Sequence, residues 1–334
     1  MQALTEIQKL VFNLGYTEYA AGYTEQPARY TSITSPRSTM SHPTQGDRAV
    51  DVVGMGDLVQ RDPGQRYEDD TVLTGYTRQM ALRNFGKSFS IPAETVEAAG
   101  GMASFESKIA NFAREVGKGA LRKKERVVAA MYQKGTLSAG DTAAFNQSFV
   151  GNPDTNAGKI YDGKPWFAAS GNAHPLYTRA AAGVEGINLV ASGLALSTAN
   201  LQTHLTNLIK RAGHDERGNP IDIMHTILMV PPELEFTALQ IMNSTQVAES
   251  ANRAANVIQG RMRVVMNPFL TDSASSAAWW TLEPGALQVY DEQVPRIRAW
   301  FDNETNSYRV ACDVYFGAAP YDWRLAACNN KAAS

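Results

Sequence analysis

The sequence predicts an α+β fold in which a peripheral N-terminal arm and an extended hairpin lead into one long helix, followed by a mixed α/β region that closes on a pair of strands. Three observations predict it. Residues 15–66 are dominated by Gly, Pro, Ser, Thr, Gln and Tyr with little periodicity. Between residues 103 and 133, apolar side chains recur at spacings of three and four. Beyond residue 194, helical and strand-like runs alternate.

Taken in order, the chain opens with an amphipathic turn or two carrying Leu4, Ile7, Leu10, Val11 and Leu14. The polar stretch at 15–66 cannot bury enough apolar surface to offset its own ordering entropy, so it reads either as disordered or as laid across a neighbouring subunit. Tyr16, Tyr19, Tyr23 and Tyr30 supply the contact groups for that role. Two strand-like runs at 71–82 and 87–91 flank Arg83-Asn84-Phe85-Gly86 and predict a long hairpin turning at Asn84 to Gly86. Pro92 to Thr95 then opens a helical stretch, which Gly100-Gly101 interrupts.

The helix at 103–133 is the strongest periodic signal. Phe105, Ile109, Phe112, Val116, Ala120, Val127, Val128 and Met131 form one apolar stripe. Gly117 and Gly119 each cost roughly 1 kcal/mol relative to alanine inside a helix, which predicts a bend or a close contact there. Residues 135–175 are rich in Gly, Asn, Asp and Pro and read as irregular. Then come a helix at 194–212, a strand at 226–230 and a helix at 233–243. Strands at 263–266 and 278–282 bracket a loop that suits a hairpin connection, with Trp279 and Trp280 in core or interface. A second hairpin pairs 296–302 with 308–316 across the turn at 303–306, and a last strand lies near 323–327.

Composition narrows the function. The 334 residues carry 31 basic and 33 acidic side chains, a net charge of −2, so no global field steers the chain to nucleic acid or membrane. No uncharged apolar stretch reaches the roughly 18 residues a membrane span needs. No basic segment followed by an apolar one opens the chain, which reads as a soluble protein made and assembled in a reducing cytoplasm. Cys312 and Cys328 lack CxxC spacing and read as buried free thiols.

The order of these elements resembles the Hong Kong 97-type major capsid protein fold of tailed bacteriophages. FGKSFSIPAETVEA looks like the return strand of that family's extended loop, feeding its spine helix. DGKPWFAASGNAHP at 162–175 resembles the segment ahead of the axial domain, and ILMVPPELEFTALQIMNS looks like that domain's strand-proline-helix unit. VVMNPFL, WWTLEPGA and the final IRAWFDNETNSYRVACDVYFGAAPYDWRLAA are similar to the closing strands of Mu-like major head subunits.

The resemblance implies residues 1–66 as N-terminal arm and 67–98 as extended loop. It implies 99–175 with 286–317 as peripheral domain, including the spine helix 103–133, and 176–285 with 318–334 as axial domain. It further implies a virion protein that self-assembles into the hexamers and pentamers of an icosahedral head enclosing double-stranded DNA. The implied partners are portal, scaffolding and decoration proteins, with non-specific contact to packaged DNA and no membrane. Some relatives join subunits through a loop lysine and a partner asparagine; Lys87 lies in the corresponding hairpin, where a lysine is ordinary.

No catalytic constellation is evident: GxSxG, HExxH, a Walker loop and a strand-linked GxGxxG are all missing. The chain therefore reads as a structural protein with no cofactor, metal or catalytic residue. His42, His174, His204, His214 and His225 are scattered, without helical ligand spacing. Glu68-Asp69-Asp70 lacks the spaced ligands of a calcium loop and reads as a solvated charge run. Asn303-Glu304-Thr305 matches a glycosylation sequon but is better explained as turn chemistry.

Arg122, Lys123, Lys124 and Arg126 form the densest basic run. On a helix they spread over more than one face, so they read as a solvated surface or as an interior contact to DNA phosphates or a scaffold. Three competing readings follow: an encapsulin-like nanocompartment shell, a soluble α/β enzyme with a cleft around Trp279 and Trp280, and a nucleic-acid-binding module using the 122–126 run. The last is opposed by the near-neutral charge.

Overall fold

In a computed structural model, the described residues are 2–37, 47–53, 58, 60–67, 69, 73–80, 83–94, 102–136, 160–175, 186–190, 194–215, 220–246, 255–271, 276–291 and 295–331. The chain begins with helix α1 (Gln2–Thr24), then strands β1 (Ser35–Arg37), β2 (Asp47–Val53), β3 (Leu73–Met80) and β4 (Arg83–Pro92). Helix α2 (Met102–Lys134) follows, then β5 (Leu189–Val190), α3 (Thr198–Arg211), β6 (Ile227–Val230) and α4 (Glu235–Asn243). The remaining strands are β7 (Arg263–Met266), β8 (Trp279–Leu282), β9 (Leu287–Asp291), β10 (Arg296–Asp302), β11 (Ser307–Pro320) and β12 (Ala326–Asn329).

The long helix forms where its periodicity places it, and Phe105, Ile109, Leu121, Val127, Val128 and Met131 are buried along its stripe. The glycine signal resolves as a close contact. A side chain at Gly117 would overlap the Tyr19 carbonyl and sit 2.9 Å from the Tyr23 amide nitrogen, and one at Gly22 would overlap the Arg114 carbonyl. The two glycines thus let α1 and α2 cross backbone to backbone. Gly119, by contrast, faces open space. Beyond the crossing, Glu25 of the α1 C-terminus pairs with Arg114 and Lys118 at 3.1 Å each.

This corrects the reading of the arm. Helix α1 runs to Thr24, past the turn or two expected from Leu4 to Leu14. Its glycines and β-branched threonines depress helix propensity, while tertiary contact with α2 supplies the stability that propensity does not. Tyr19 and Tyr30 are buried in the subunit's own core, with Tyr23 packed against it; only Tyr16 stays substantially exposed. The tyrosines anchor the segment to its own chain.

Around the crossing lies a five-stranded sheet in which β11 is central. It pairs antiparallel with β10 and then β9 along one edge and with β4 along the other, while β1 runs parallel to β9. The β10–β11 hairpin matches the expectation, with Asn306 in the left-handed region at φ 46° completing its turn. A second five-stranded sheet has the order β5-β12-β8-β6-β7. One of its faces packs Trp280, Met229 and Ile227 on the main core; the other packs Trp279, Leu228 and Val230 under α3 and α4.

Two pairing expectations are overturned. Strands β7 and β8 form no hairpin, since each pairs with β6, the first parallel and the second antiparallel. The long hairpin also lies one strand earlier than expected. Strand β3 pairs antiparallel with β2, while Asn84 to Gly86 sit inside β4 opposite Tyr315 to Asp313 of β11. Local turn chemistry suggested the wrong reversal because pairing partners are chosen by tertiary contact. Of the helical stretch expected at Pro92 to Thr95, Thr95 lies outside the described residues, as does Gly100-Gly101.

The 160–174 segment is tied in by Asn188, whose side-chain amide donates toward the carbonyls of Trp166, Trp323 and Ala326 at 2.8–3.0 Å and whose Oδ1 accepts from the Ala168 amide at 2.8 Å. One buried side chain therefore joins both sheets' connecting segments.

Candidate functional site

The candidate site is a groove of about 730 Å³ between β4, β11 and α2. Alternation on β4 directs Phe85 and Phe89 to one face, where they meet Phe316 of β11 at 4.5 Å and Phe112 of α2 at 5.0 Å between ring centroids. Val116, Gly119 and Ala120 continue the floor along the helix. The rim is mostly basic: Lys87 on β4, then Arg122 and Lys123 on α2, against Glu115. Lys123 lies 4.9 Å above the Phe85 ring, a cation over an aromatic face. Among the described residues β4 pairs only with β11, so its outer edge carries unpaired backbone groups beside an apolar trough.

The basic run divides as helical geometry requires. Arg122, Lys123 and Arg126 are exposed. Lys124 is buried, its ammonium 3.0 Å from the Tyr23 hydroxyl and above the Tyr23 ring, so it holds α1 rather than facing solvent. Neighbouring Glu125 is buried too. One carboxylate oxygen accepts from the amides of Arg29 and Tyr30 at 2.6 and 3.0 Å, fixing the turn after α1. Burial raises the pKa of this carboxyl, partly opposed by those two hydrogen bonds. Lys87 lies in β4 opposite Cys312, outside the β2–β3 hairpin. Asp69 is exposed beside Arg66 at 3.4 Å; Glu68 and Asp70 lie outside the described residues, as does His42.

The structure brings together residues that sequence spacing kept apart. His204 on α3 and His225 ahead of β6 both contact the Thr281 hydroxyl, at 2.7 and 2.8 Å. The directions follow from one partner. His225 donates from Nε2 to the Arg324 carbonyl at 3.0 Å, so its Nδ1 accepts from Thr281, whose oxygen in turn accepts from His204 Nε2. Both imidazoles are neutral in this chain. Burial lowers the pKa of His204 to about 3, with further repulsion from His225, and burial lowers that of His225 to about 4.

Elsewhere His174 pairs with Asp162 at 2.5 Å and stacks on Trp323 at 4.4 Å. Cys312 and Cys328 are buried free thiols, each raised to about 12 by burial. Trp279 and Trp280 are both fully buried, which removes the cleft on which the enzyme reading relied. Among the described residues no helix is long and apolar enough to cross a membrane.

A family described as phage capsid protein matches residues 75–329. The chain is similar in structure to the capsid of a native GTA particle, at 12% identity over 91% of this chain and 90% of that one, with a TM-score of 0.51. It is likewise similar to the mature capsid of bacteriophage PhiM1, at 12% identity over 91% and 87% of the two chains and a TM-score of 0.52. The capsid of Ralstonia phage GP4 gives 13% identity over 92% and 89%, with a TM-score of 0.50. At these identities the likeness is one of fold. No curated protein sequence matches significantly.

Proposed function

Because the chain belongs to the phage capsid protein family and has the Hong Kong 97-type fold, we propose that it is the major capsid subunit whose hexamers and pentamers tile the icosahedral head around double-stranded DNA. The family match across most of the chain carries this reading and favours it over a cargo nanocompartment. Two features of the subunit support it. The β2–β3 pair is a two-stranded sheet, marginal by itself in water, and its connection exposes Leu58 and Tyr67. Strand β4 adds a bare edge beside the aromatic groove. Elements of this kind gain partners when subunits meet, so ordering and assembly become one event.

The subunit works by geometry, as a non-enzymatic building block without cofactor or metal. Its arm is residues 1–66, its extended loop 67–98, its peripheral domain 99–175 with 286–317, and its axial domain 176–285 with 318–334. The extended hairpin reaches back to β2, and the separateness of the two five-stranded sheets supports the peripheral and axial division. Arg122, Lys123 and Arg126 form the interior face that touches DNA phosphates or a scaffold, while Lys124 serves the α1 anchor. Portal, scaffolding and decoration proteins are the further partners, and assembly takes place in the host bacterial cytoplasm.

The test is expression of the chain alone and with a scaffolding protein, followed by light scattering and negative-stain electron microscopy over a concentration series. Closed shells or ring-shaped capsomers are expected. A compact monomer or dimer under every condition would overturn the proposal.

A further inference from the structure

The groove between β4, β11 and α2 opens at a strand edge. The Ala93 amide donates to the Asn306 carbonyl at 2.9 Å, in the register that pairs β4 with β11. Residues whose backbone groups point to the partner alternate with residues whose groups point away along an antiparallel pair, so Phe85, Lys87, Phe89 and Ile91 exchange backbone bonds with β11. Asn84, Gly86, Ser88 and Ser90 therefore turn their N–H and C=O groups outward, along an edge that pairs with no other strand among the described residues. All four are exposed. Their spacing of about 6.8 Å is the two-residue repeat of an extended chain.

The side chains beside that edge specify the kind of chain it accepts. On the groove face Lys87 stands between Phe85 and Phe89, and Arg122 and Lys123 of α2 complete the rim. Among the described residues the one acid lining the groove is Glu115, already held by Lys118 at 3.1 Å. Asp313 of β11 lies opposite Gly86, so alternation places it on the other face of the sheet, where it pairs with Arg298. Strand β4 of a second copy would bring Lys87 and its basic rim against the same set, and like charges across strands oppose pairing. Charge therefore selects an unlike, acidic strand.

We propose that the groove binds an extended acidic segment of a different protein, which adds to β4 as an outer strand. In an antiparallel addition Phe85, Lys87 and Phe89 fall in the non-hydrogen-bonded pairs, where Cα atoms stand about 4.5 Å apart and side chains meet. The segment recognised therefore carries an apolar residue, an acid and an apolar residue at alternate positions. The apolar pair covers the two phenylalanines, and the carboxylate meets Lys87 beside the Arg122–Lys123 rim. Main-chain bonds to Asn84, Gly86, Ser88 and Ser90 give affinity, and the alternate side chains give specificity. This deepens the reading of the Arg122 and Lys123 face as one that meets a scaffold, and rests on it, committing the groove to protein rather than DNA.

The probe is the fluorescein-labelled synthetic peptide Ser-Phe-Thr-Glu-Thr-Phe-Ser, titrated with the full chain and read by anisotropy, against the same peptide with Lys in place of Glu. The acidic peptide should bind roughly tenfold more tightly, as an attractive cross-strand pair becomes a repulsive one. Lys87→Glu should reverse that preference. Ser88→Pro removes an outward N–H without touching the β11 ladder, and should abolish binding. Methylating the two Thr nitrogens of the peptide, which face β4, should abolish it too, whereas methylating the Glu nitrogen should not. The methylated peptides leave the chain unmodified, so the result stands where a variant folds poorly. Equal affinity for the two unmethylated peptides, or undiminished binding of the Thr-methylated one, would overturn the proposal. So would duplex DNA that binds in a Lys87-dependent way to a chain that ignores the peptide, or self-association that Ser88→Pro abolishes while peptide binding persists. Peptide capture by a chain that forms no shell would retain the groove and reject the shell, and shells from a chain that ignores the peptide would do the reverse.

Discussion

Gly117 shows how much one residue decides. Its missing side chain lets the α1 backbone sit against α2, so Gly117→Leu should destabilise the subunit by about 1–3 kcal/mol, the usual cost of overpacking, while Gly119→Ala should be neutral or stabilising because the space there is open. Urea denaturation of both variants checks the pair. The His204–Thr281–His225 chain gives a pH dependence with a definite sign. Folded pKa values of about 3 and 4 lie below the unfolded value near 6.5. The unfolded chain therefore binds more protons across that interval. Stability is fully present above pH 6.5, declines as pH falls, and stops declining near the folded values. The loss by pH 4 is on the order of 3 kcal/mol per histidine. His225→Gln should lower stability at pH 7 yet lose less between pH 7 and pH 4, measured as denaturation midpoints at the two pH values. An unchanged slope would mean that His225 does not titrate on unfolding.

Among the elements, the β2–β3 hairpin is set apart as a two-stranded sheet outside both five-stranded sheets. Replacing residues 54–72 with a two-residue Asn-Gly turn should change the unfolding free energy of the isolated subunit by no more than about 0.5 kcal/mol, the range of surface changes, and should abolish shells seen by electron microscopy. Shells of normal size from that variant would show that the hairpin is dispensable for assembly. Strand β4 is different, since ten of its residues pair with β11. Phe89 also stacks on Phe112, so Phe89→Ala should cost stability as well as assembly.

For the whole molecule, near-neutral charge means that the proposed contact with packaged DNA would rest on a few side chains. Replacing Arg122, Lys123 and Arg126 together by alanine should lower the slope of log affinity against log salt by about 0.9 for each phosphate that is no longer neutralised, measured on assembled, DNA-free particles with duplex fragments. Assembly itself should persist. No change in slope would place this face away from the genome. The α1–α2 crossing and both five-stranded sheets share one hydrophobic core, so these surfaces are set at fixed distances from one another.

What the sequence determined by itself is what short-range pattern encodes. The stripe from Phe105 to Met131 specified α2, the alternation about the turn at 303–306 specified the β10–β11 hairpin, and Arg263 to Met266 specified β7, because each signal lies within a few residues of itself. The capsid fold was legible in the order of such elements. Tertiary structure decided the rest. It extended α1 through Gly15 and Gly22, where propensity argues against a helix, because close packing on β10 at the first and on α2 at the second outweighs a cost of about 1 kcal/mol per glycine. It gave β3 to β2 and β4 to β11, since strand pairing depends on partners far apart in the chain. It buried Lys124 while leaving its neighbours Arg122, Lys123 and Arg126 exposed. It also assembled His204, His225 and Thr281 from three segments, and gathered the groove from β4, β11 and α2. Interactions across such separations leave no periodic trace in a single chain, so only the folded molecule reveals them.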